Sequence, residues 1–323
     1  MSHSIKLFIA ILIIILLSFA CSDDDNTPDP IPAGWERITS PTGYKSLTDI
    51  EFLNKDFGVI CGAEGTVLKT ENGGLEWQAV NYGNNYVSYK VFVLNENEFY
   101  LGRNGLYKTN NGGYSYEELG ELSNIASTIF EIIFFDTKNG LIYKSGRVRK
   151  TNDGGLNWEE VYEGGFCNKM KFVSNEIGYL AGGASWDGMS YGILHKTIDG
   201  GNTWTNIGDI KEVYEWEIMS MDFITNDIGY ITNFNKEFFI TQDGGVSWNL
   251  LSDSLPRIFS GIVFLSQDEG YGLSSRSVFK TIDGGISWKE DHTDSSMIFS
   301  AITKTPDEKI FVVGNGGVIL RKE

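Results

Sequence analysis

Short apolar runs, separated by polar turns that contain glycine, recur along most of the chain from residue 34 onward. In the first unit, β-branched and aromatic residues near 47–53, 58–62, 66–70 and 75–80 predict four short strands. Two columns set the period, because an aromatic residue is followed six positions later by a residue that is usually glycine. The paired positions are Phe52 and Gly58, Phe92 and Glu98, Phe134 and Gly140, Phe172 and Gly178, Phe223 and Gly229, and Phe264 and Gly270. Four-stranded units of about 40 residues predict the blades of a β-propeller.

A polar motif closes six of these units: Thr, any residue, Asp or Asn, Gly-Gly, two variable residues and an aromatic residue. Its Thr, Asp or Asn, and aromatic positions are Thr70, Asn72 and Trp77; Thr109, Asn111 and Tyr116; Thr151, Asp153 and Trp158; Thr197, Asp199 and Trp204; Thr241, Asp243 and Trp248; and Thr281, Asp283 and Trp288. Asp-Gly and Asn-Gly between apolar runs predict a hairpin turn, because both residues tolerate positive φ. We expect the Asp or Asn side chain to accept backbone N–H bonds inside the turn, with the Thr and the aromatic residue holding its ends. A calcium loop is the disfavoured alternative, because calcium needs more oxygen ligands than this motif offers.

The ends of the chain complement each other. Blades two to six are predicted near 87–119, 128–162, 167–207, 217–251 and 259–290, whereas the last unit ends without the motif after strands near 298–304, 309–314 and 316–321. Trp35 precedes Trp77 by 42 residues, the spacing of neighbouring motif aromatics. The N-terminal strand near 35–39 is therefore predicted to complete the C-terminal blade (298–321) and to close an all-β, seven-bladed β-propeller without open sheet edges. A parallel β-helix, the alternative repeat architecture, needs no complementary ends.

The start of the chain has a different pattern, with Lys6 before an apolar run that ends in Leu17-Ser18-Phe19-Ala20-Cys21. A positive start, an apolar middle and a small-residue exit predict an export signal peptide over 1–20. The junction resembles a bacterial lipobox, which implies cleavage before Cys21 and lipid on its sulfur. Residues 21–33 are predicted to be an acidic, Pro-rich linker, and 34–323 the propeller.

The acidic stretch Ser22-Asp23-Asp24-Asp25 has two interpretations. It resembles the tag that sends some lipoproteins to the outer face of the outer membrane, and it is equally compatible with a solvated linker. We therefore expect an outer-membrane lipoprotein, with periplasmic or surface exposure left open.

Charge and composition limit the partners. The formal net charge of −17 makes phosphate-rich nucleic acid an unfavourable ligand. Cys61 and Cys167 fall on different blades, so we expect two buried thiols and no disulfide. His195 and His292 stand in different contexts, so no metal site or cofactor is predicted. We expect a monomer that meets the membrane through its lipid anchor only.

Candidate binding residues lie on the face opposite the motif hairpins, where turns and inter-blade connections vary. Arg103, Arg147 and Arg276 occupy comparable turns in blades two, three and six, and blade five offers Asn235 and Lys236. They are either binding groups or ordinary solvated turn residues. Blade four inserts a long loop with Trp186, Asp187 and Tyr191, whose rings could stack on a sugar, grip a peptide or cover the blade.

The motif resembles the Asp-box, or BNR repeat, because Thr197, Asp199, Gly201, Thr203 and Trp204 match its Ser/Thr-x-Asp-x-Gly-x-Thr/Ser-Trp pattern. Its Gly-x-x-x-Lys-Thr-x-Asp-Gly-Gly-x-x-Trp phrasing across the blades resembles the photosystem II stability/assembly factor family over nearly all of 34–323. That resemblance implies a seven-bladed propeller without enzymatic activity, which binds a partner protein as an assembly factor through an Arg-rich patch.

Two other functions stay open. A glycan-binding surface lipoprotein would use the same exposed rings and amides. Asp-box glycosidases need two carboxyls across a cleft, and no spacing in the sequence pairs Glu64, Asp187, Glu237 or Asp294 in that way. No catalytic residue is therefore predicted, and a protein or glycan partner is expected.

Overall fold

A computed structural model describes residues 34–81, 86–120, 122, 128–186, 189–207 and 217–323. For Asn81, Asn168, residues 184–186 and residues 189–191 it describes the backbone alone. The predicted signal peptide, the lipidation of Cys21 and the linker lie outside the described residues. Within them, no helix is long and apolar enough to cross a membrane.

Seven sheets of four antiparallel strands make up the fold. Blades one to three contain β2 (Leu47–Phe52), β3 (Gly58–Gly62), β4 (Thr66–Thr70) and β5 (Gln78–Asn81); β6 (Lys90–Val93), β7 (Phe99–Gly102), β8 (Leu106–Thr109) and β9 (Glu117–Leu119); and β10 (Ile129–Phe134), β11 (Gly140–Lys144), β12 (Arg147–Thr151) and β13 (Glu159–Glu163). Blades four to six contain β14 (Phe166–Phe172), β15 (Gly178–Trp186), β16 (Met189–Thr197) and β17 (Thr205–Asn206); β18 (Ile218–Phe223), β19 (Gly229–Asn233), β20 (Phe238–Thr241) and β21 (Asn249–Ser252); and β22 (Gly261–Phe264), β23 (Gly270–Leu273), β24 (Ser277–Thr281) and β25 (Lys289–Thr293). Blade seven contains β26 (Phe299–Lys304), β27 (Ile310–Gly314), β28 (Ile319–Lys322) and the N-terminal β1 (Trp35–Ile38).

The ring closes as predicted. Strand β1 pairs with β28 in the register Trp35 to Lys322 and Ile38 to Ile319. The last strand begins later than expected because Asn315–Gly317 form a short 3₁₀ turn. The seven-bladed propeller and its closure by the two chain ends are thereby confirmed.

The aromatic column packs directly over the glycine column. Phe134 pairs with Gly140 across β10 and β11, and a Cβ on that glycine would stand 2.6 Å from the phenylalanine ring. The motif tryptophan then meets the same ring edge-on, as Trp158 does with Phe134 at 6.3 Å between ring centroids. One cross-strand pair and one motif residue thus fill blades one, three, four, five and six at this level.

Blade two corrects the predicted column. The sequence pairs Phe92 with Glu98, but the structure pairs Val93 with Phe99. The large ring has moved to the neighbouring strand, where Tyr116 of the motif contacts Phe99 edge-on at 6.0 Å. A small residue opposite a large one fills the same space in either order, so the blade tolerates the exchange.

Rings also stack between blades. The tyrosine of one second strand lies flat on the phenylalanine of the next inner strand, with ring centroids 3.8 to 4.0 Å apart. The pairs are Tyr100 with Phe134, Tyr179 with Phe223, and Tyr230 with Phe264. These contacts join separate sheets into one continuous core.

Side chains of the innermost strands bind backbone amides of the following blade. Val91 and Val93 donate their N–H groups to Asp49 and Glu51 at 3.0 and 3.1 Å. Ser220 and Asp222 accept bonds from the next blade in the same way, at 3.0 and 2.8 Å. An inner strand is the free edge of its sheet, so these bonds satisfy donors that no strand pairs.

Each motif is a hydrogen-bonded hairpin tip. The Thr hydroxyl accepts the second glycine N–H at 2.8 to 2.9 Å, and the Asp or Asn side chain accepts the N–H before the aromatic residue at 2.9 to 3.0 Å. Bonds from Asn157 lower the pKa of Asp153 to about 2, and bonds from Thr203 do the same for Asp199. Both motif glycines have positive φ in every copy, as a turn of this shape requires.

Candidate functional site

The two ends of the ring differ in character. The motif hairpins lie at one end, which we call the box face, together with the turns between first and second strands; Gly73 donates its N–H to the Asp56 carbonyl at 2.8 Å. The other end, the loop face, holds the turns between second and third strands and the connections between blades. There the backbone N–H of Asp294, in the connection after blade six, donates to the Arg276 carbonyl at 2.9 Å.

The three predicted arginines lie on the loop face, each engaged locally. Arg103 is largely buried between the rings of Tyr86 and Tyr107, at 4.6 and 3.7 Å from their centroids. Arg147 forms ion pairs with Glu163 at 2.7 Å and with Glu160 at 3.4 Å. Arg276 is exposed and donates to the Ser295 carbonyl. The structure places them in blades two, three and six, held by separate sets of partners.

Asn235 and Lys236 form the tip of an exposed turn in blade five. Asn235 donates to the Glu237 carboxylate at 3.2 Å, and Lys236 adopts a φ of 65°. The cost of that left-handed backbone is met in part by its N–H bond to the Asn233 carbonyl. Both side chains are available on the surface of the loop face.

The insertion in blade four is a strand extension and not the long loop that the sequence suggested. Strands β15 and β16 have nine residues each and remain paired out to Trp186 and Met189. Tyr191 pairs with Ala184 on the same hairpin. Asp187 lies outside the described residues, and the side chains of Trp186 and Tyr191 are not described, so their candidacy stays a prediction.

Sequence reasoning missed a set of exposed apolar side chains on the loop face. Tyr44 is 88% exposed, and Phe234 at the tip of the blade-five turn is 52% exposed. Among the described residues the set, here called the loop-face cluster, is Tyr44, Tyr86, Tyr89, Phe166, Phe234 and Ile298. Four of them stand in connections between blades, Phe166 begins β14 and Phe234 lies in a turn, so none belongs to a column of the repeat. Large apolar groups exposed together on one face are typical of an interaction surface.

A central cavity of about 520 Å³ begins among Tyr89, Phe130, Ser260 and Ser300, where the innermost strands start at the loop face. It continues between the innermost strands of blades one to four and those of blades six and seven. The cavity therefore opens beside the loop-face cluster and offers a recess to any ligand bound there.

Charged side chains line one wall of this cavity. Asp49, Lys90, Glu131 and Lys169 alternate in sign from blade one to blade four, whereas Gly261 and Ala301 line the opposite wall. Lys90 lies 3.5 Å from Asp49 and 3.2 Å from Glu131. A signal for this wall exists in the sequence: Asp49, Glu131 and Lys169 each stand three positions before the phenylalanine of the column, and Lys90 stands three positions before Val93, its counterpart in blade two.

Burial changes the ionisation of this wall. It raises the pKa of Glu51 to about 8, with Asp49 and Glu131 adding to the rise against the opposing effect of Lys90. Burial alone would lower the pKa of Lys90, but the carboxylates Asp49, Glu131 and Glu51 outweigh it and raise that pKa. Burial lowers the pKa of Lys169. The wall is a compensated ion network whose proton content changes above neutral pH.

Metal and thiol chemistry find little support in the described part of the chain. No group of three His, Cys, Asp or Glu residues there could hold a metal ion. Cys61 and Cys167 are free and buried, and burial raises the pKa of Cys167 to about 12. A thiol with a raised pKa is a poor nucleophile.

Comparison with known proteins gives a consistent picture. No protein-family model matches the chain. It is 24% identical to the "Photosystem II assembly lipoprotein Ycf48" of Trichormus variabilis, over 84% of this chain and 92% of that protein. The protein of the same description from Synechococcus is 22% identical, over 85% and 96% of the two chains.

Solved structures agree with this relationship. A structure described as "YCF48 bound to D1 peptide" superposes with a TM-score of 0.72, at 18% identity, over 91% of this chain and 99% of that one. An ancestral GH74 enzyme shares the fold with a TM-score of 0.66 at 16% identity, but the match spans only 46% of its chain. In sequence and in fold the chain is therefore similar to the photosystem II assembly lipoproteins, the family that its repeated motif predicted.

Proposed function

We propose that this protein is a lipid-anchored, non-enzymatic scaffold of the cell envelope that binds a segment of a partner protein on its loop face. The observation that carries the proposal is the loop-face cluster, of which Tyr89 lies at the mouth of the central cavity and Phe166 contacts Phe130 of that mouth edge-on, with ring centroids 5.0 Å apart. Tyrosine and phenylalanine are favoured anchors of protein interfaces, because they bury a large area with few rotatable bonds.

The scaffold beneath this face suits a binding role. Backbone hydrogen bonds fix the turn that presents Phe234. The Lys236 carbonyl accepts the Leu255 N–H at 2.9 Å, and the Phe234 N–H donates to the Glu217 carbonyl at 2.9 Å. A preorganised surface loses little conformational entropy on binding. Arg276 and Lys236 are exposed on this face and can pair with acidic side chains of a bound segment, whereas Glu160 and Glu163 already compensate the charge of Arg147.

The relatives support the kind of ligand and the anchor. One similar structure holds a peptide, and the curated relatives are described as assembly lipoproteins. We extend to this chain a protein segment as ligand and Cys21 as the lipidated residue. The acidic stretch after Cys21 supports export to the outer membrane.

The loop-face carboxylates support a role without catalysis. Asp294 is paired with Arg37 at 2.5 Å and accepts bonds from Ser296, while Glu237 accepts the amides of Asn233 and Asn235. Burial alone would raise the pKa of Asp294, but Ser296 and Arg37 lower it below the ordinary value. A glycosidase needs one carboxyl whose pKa is raised so that it can act as the acid, and Asp294 does not supply it. Burial does raise the pKa of Glu51 and of Glu131, but these two carboxyls belong to the ion network of the cavity wall around Lys90.

Site-specific photo-crosslinking tests the binding face. A photoreactive phenylalanine replaces Tyr89 on the loop face or, as the matched control, Tyr114 on the box face; both tyrosines are exposed. We expect an adduct with the same protein in repeated cell preparations from position 89 only, and its loss in Phe166→Asp/Phe234→Asp. Equal adducts at both positions, or binding to a glycan array with no protein adduct, would contradict the proposal.

The anchor is tested separately. Mass spectrometry of the purified full-length protein should find a diacylglyceryl group on Cys21, and Cys21→Ser should shift the protein from the membrane fraction to the soluble fraction. Protease treatment of intact cells then distinguishes surface from periplasmic display. An unmodified Cys21 would refute lipid anchoring and leave the binding face to the crosslinking test.

A further inference from the structure

The box face carries its own set of exposed apolar side chains. Every motif hairpin presents at least one, and their exposed fractions run from 52% to 74%. We call them the box-face ring: Leu75, Tyr114, Leu156, Ile198, Val246, Ile282 and Ile286. Five of them occupy the position after the second glycine, and Ile198 and Ile282 follow the motif threonine.

These side chains play no part in holding the hairpin. The turn is closed by the Thr hydroxyl and by the Asp or Asn side chain, and its core contact is made by the aromatic residue. Any polar residue would serve the turn equally well, as Asn202 does at the position where Leu75 stands in blade one. Single exposed apolar residues are ordinary on a protein surface, but their recurrence at six equivalent tips of one face asks for a common cause.

The tips are held at one level. The first motif glycine donates its N–H to the turn between the first two strands of its own blade, at 2.8 to 2.9 Å in all six copies. The acceptors are the carbonyls of Asp56, Asn97, Lys138, Glu176, Asp227 and Asp268. Equivalent bonds in the six blades hold the tips in equivalent positions on the box face.

The first strand of the propeller begins at the box face. Strand β28 runs from the loop face to the box face and ends at Lys322, and Trp35, the first residue of β1, pairs with Lys322. The linker 21–33 is therefore attached at the box face. Fully extended, it spans at most roughly 45 Å.

We propose that the box face lies against the bilayer in which Cys21 is anchored, with the box-face ring resting in the interfacial region and the loop face turned away. This inference rests on the lipid anchor proposed above, and it adds a second membrane contact to that anchor, which the sequence alone predicted to be the sole one. A short tether on the box face holds the ring at high effective concentration near the bilayer, so weak individual contacts suffice. Apolar side chains that enter the interface to a depth of about 5–10 Å gain from leaving water.

The charge of the protein limits which lipids suit this contact. Four hairpins carry Asp153, Asp199, Asp243 and Asp283, whose pKa values are lowered by hydrogen bonds within the turn, and the whole chain has a net charge of −17. An anionic bilayer repels such a face. We therefore infer a zwitterionic lipid surface, and expect the contact to weaken as anionic lipid is added.

Spin labels on the full-length, lipidated protein in phosphatidylethanolamine–phosphatidylcholine vesicles test this orientation. One label replaces Leu156 as Leu156→Cys on the box face, and the matched label replaces Ser275 as Ser275→Cys on the loop face; Cys61 and Cys167 are fully buried. We expect the box-face label to be severalfold less accessible to a water-soluble nickel chelate and more accessible to oxygen than the loop-face label.

The further outcomes also have defined meanings. In Val246→Ser/Ile282→Ser/Ile286→Ser the difference between the labels should shrink, whereas Tyr44→Ser/Tyr89→Ser/Phe234→Ser should leave it unchanged. Equal accessibility of both labels on a lipidated protein would overturn the docked orientation alone. Shielding of the box-face label before vesicles are added, on a protein that is dimeric in detergent, would place a second copy on the ring and also overturn it. A chain without lipid on Cys21 would overturn both this inference and the anchor.

Discussion

At the scale of single residues, the carboxylate of the motif Asp accepts hydrogen bonds both from the backbone and from side chains of its hairpin. The Asp199 carboxylate accepts the Thr203 N–H at 2.9 Å and the Thr203 hydroxyl at 2.6 Å, and the Thr197 hydroxyl donates to it at 2.7 Å. Asn72 and Asn111 fill the same place in blades one and two and still accept the backbone bond. The essential group is therefore the carbonyl-type oxygen, and the negative charge is secondary.

Asp199→Ala should lower the free energy of unfolding by about 1–2 kcal/mol, because three donors lose their acceptor in a partly solvated turn. Asp199→Asn should recover most of that loss, as the native Asn motifs imply. Denaturant unfolding at neutral pH measures both. Equal destabilisation by the two substitutions would show that charge, and not the acceptor oxygen, stabilises the hairpin.

Glu51 is a residue whose ionisation the fold moves into the neutral-to-basic pH range. Its pKa is about 4.5 in the ordinary state and about 8 in the folded protein, so the folded state keeps a proton that the unfolded state loses between these values. Stability contributed by the protonated form is therefore complete below about 4.5 and declines as the pH rises through 8. Glu51→Gln removes this decline and keeps an oxygen for the Val93 N–H.

We accordingly expect Glu51→Gln to gain stability relative to the parent protein as the pH rises from 5 to 9. Unfolding midpoints across that pH range measure the trend. Glu96→Gln, in an exposed turn, is the control and should show no such trend. A constant difference between Glu51→Gln and the parent at all pH values would refute the raised pKa.

At the scale of elements, the four-strand unit was predictable because its packing is local. A phenylalanine over a glycine, and a tryptophan edge-on to that phenylalanine, leave a fixed spacing in the sequence. Blade two was predicted wrongly. There the smaller Val93 is on the first strand and the large Phe99 on the second, and the neighbouring Phe92 was mistaken for the aromatic residue of the column. The packing depends on the summed volume of the two paired side chains, and a search for the same residue type at a fixed spacing does not detect that sum.

The packing of this pair makes a sharp prediction in blade six. A Cβ on Gly270 would stand 2.7 Å from the Phe264 ring, which is fixed from behind by Tyr230 at 3.8 Å between centroids. Gly270→Ala should therefore cost roughly 1–3 kcal/mol. In a Phe264→Val background the same Ala should cost much less, so a double-mutant cycle of unfolding free energies should return a coupling of similar size. Additive losses would contradict the steric explanation.

The candidate site was less predictable than the fold, for physical reasons. Turn chemistry marked Arg103, Arg147, Asn235 and Lys236 as loop-face residues, but whether a guanidinium points to solvent or lies between tyrosine rings depends on the connection packed above it. The loop-face cluster stands in connections of unequal length without period. The charged cavity wall requires knowing which alternate residues of the inner strands face the axis.

At the scale of the whole molecule, the fold separates two surfaces. The repeated hairpins build one end, at which the described part of the chain begins and ends, and the irregular connections build the other around the cavity mouth. A propeller anchored at the first end presents the second to the surroundings. The two proposals are thus independent in their residues and complementary in their geometry.

Closure of the ring depends on a short strand, because β1 has four residues. Trp35 donates its indole N–H to Asp291 at 2.8 Å, and Arg37 pairs with the almost fully buried Asp294 carboxylate at 2.5 Å. Both acids belong to β25 or the connection that follows it, so the N-terminal strand is tied to blade six as well as to β28. Loss of one of these two side-chain bonds should therefore weaken the packing of β1 against β28 and β25.

Asp294→Asn tests this closure through its pH dependence. The pKa of Asp294 is lowered in the folded protein by Ser296 and Arg37 against the opposing effect of burial, so its stabilisation is present above the unfolded pKa and is lost as the pH falls through the folded pKa. Asp294→Asn should be less stable than the parent by roughly 2–4 kcal/mol at pH 7, because Arg37 loses its charged partner. The deficit should narrow in acid, whereas Asp253→Asn in an exposed loop should differ little at either pH. Hydrogen exchange at Trp35–Ile38 should quicken in Asp294→Asn before exchange in other strands does; uniform acceleration in all seven blades would mean that the ring opens as one unit and that β1 is no weaker than the rest.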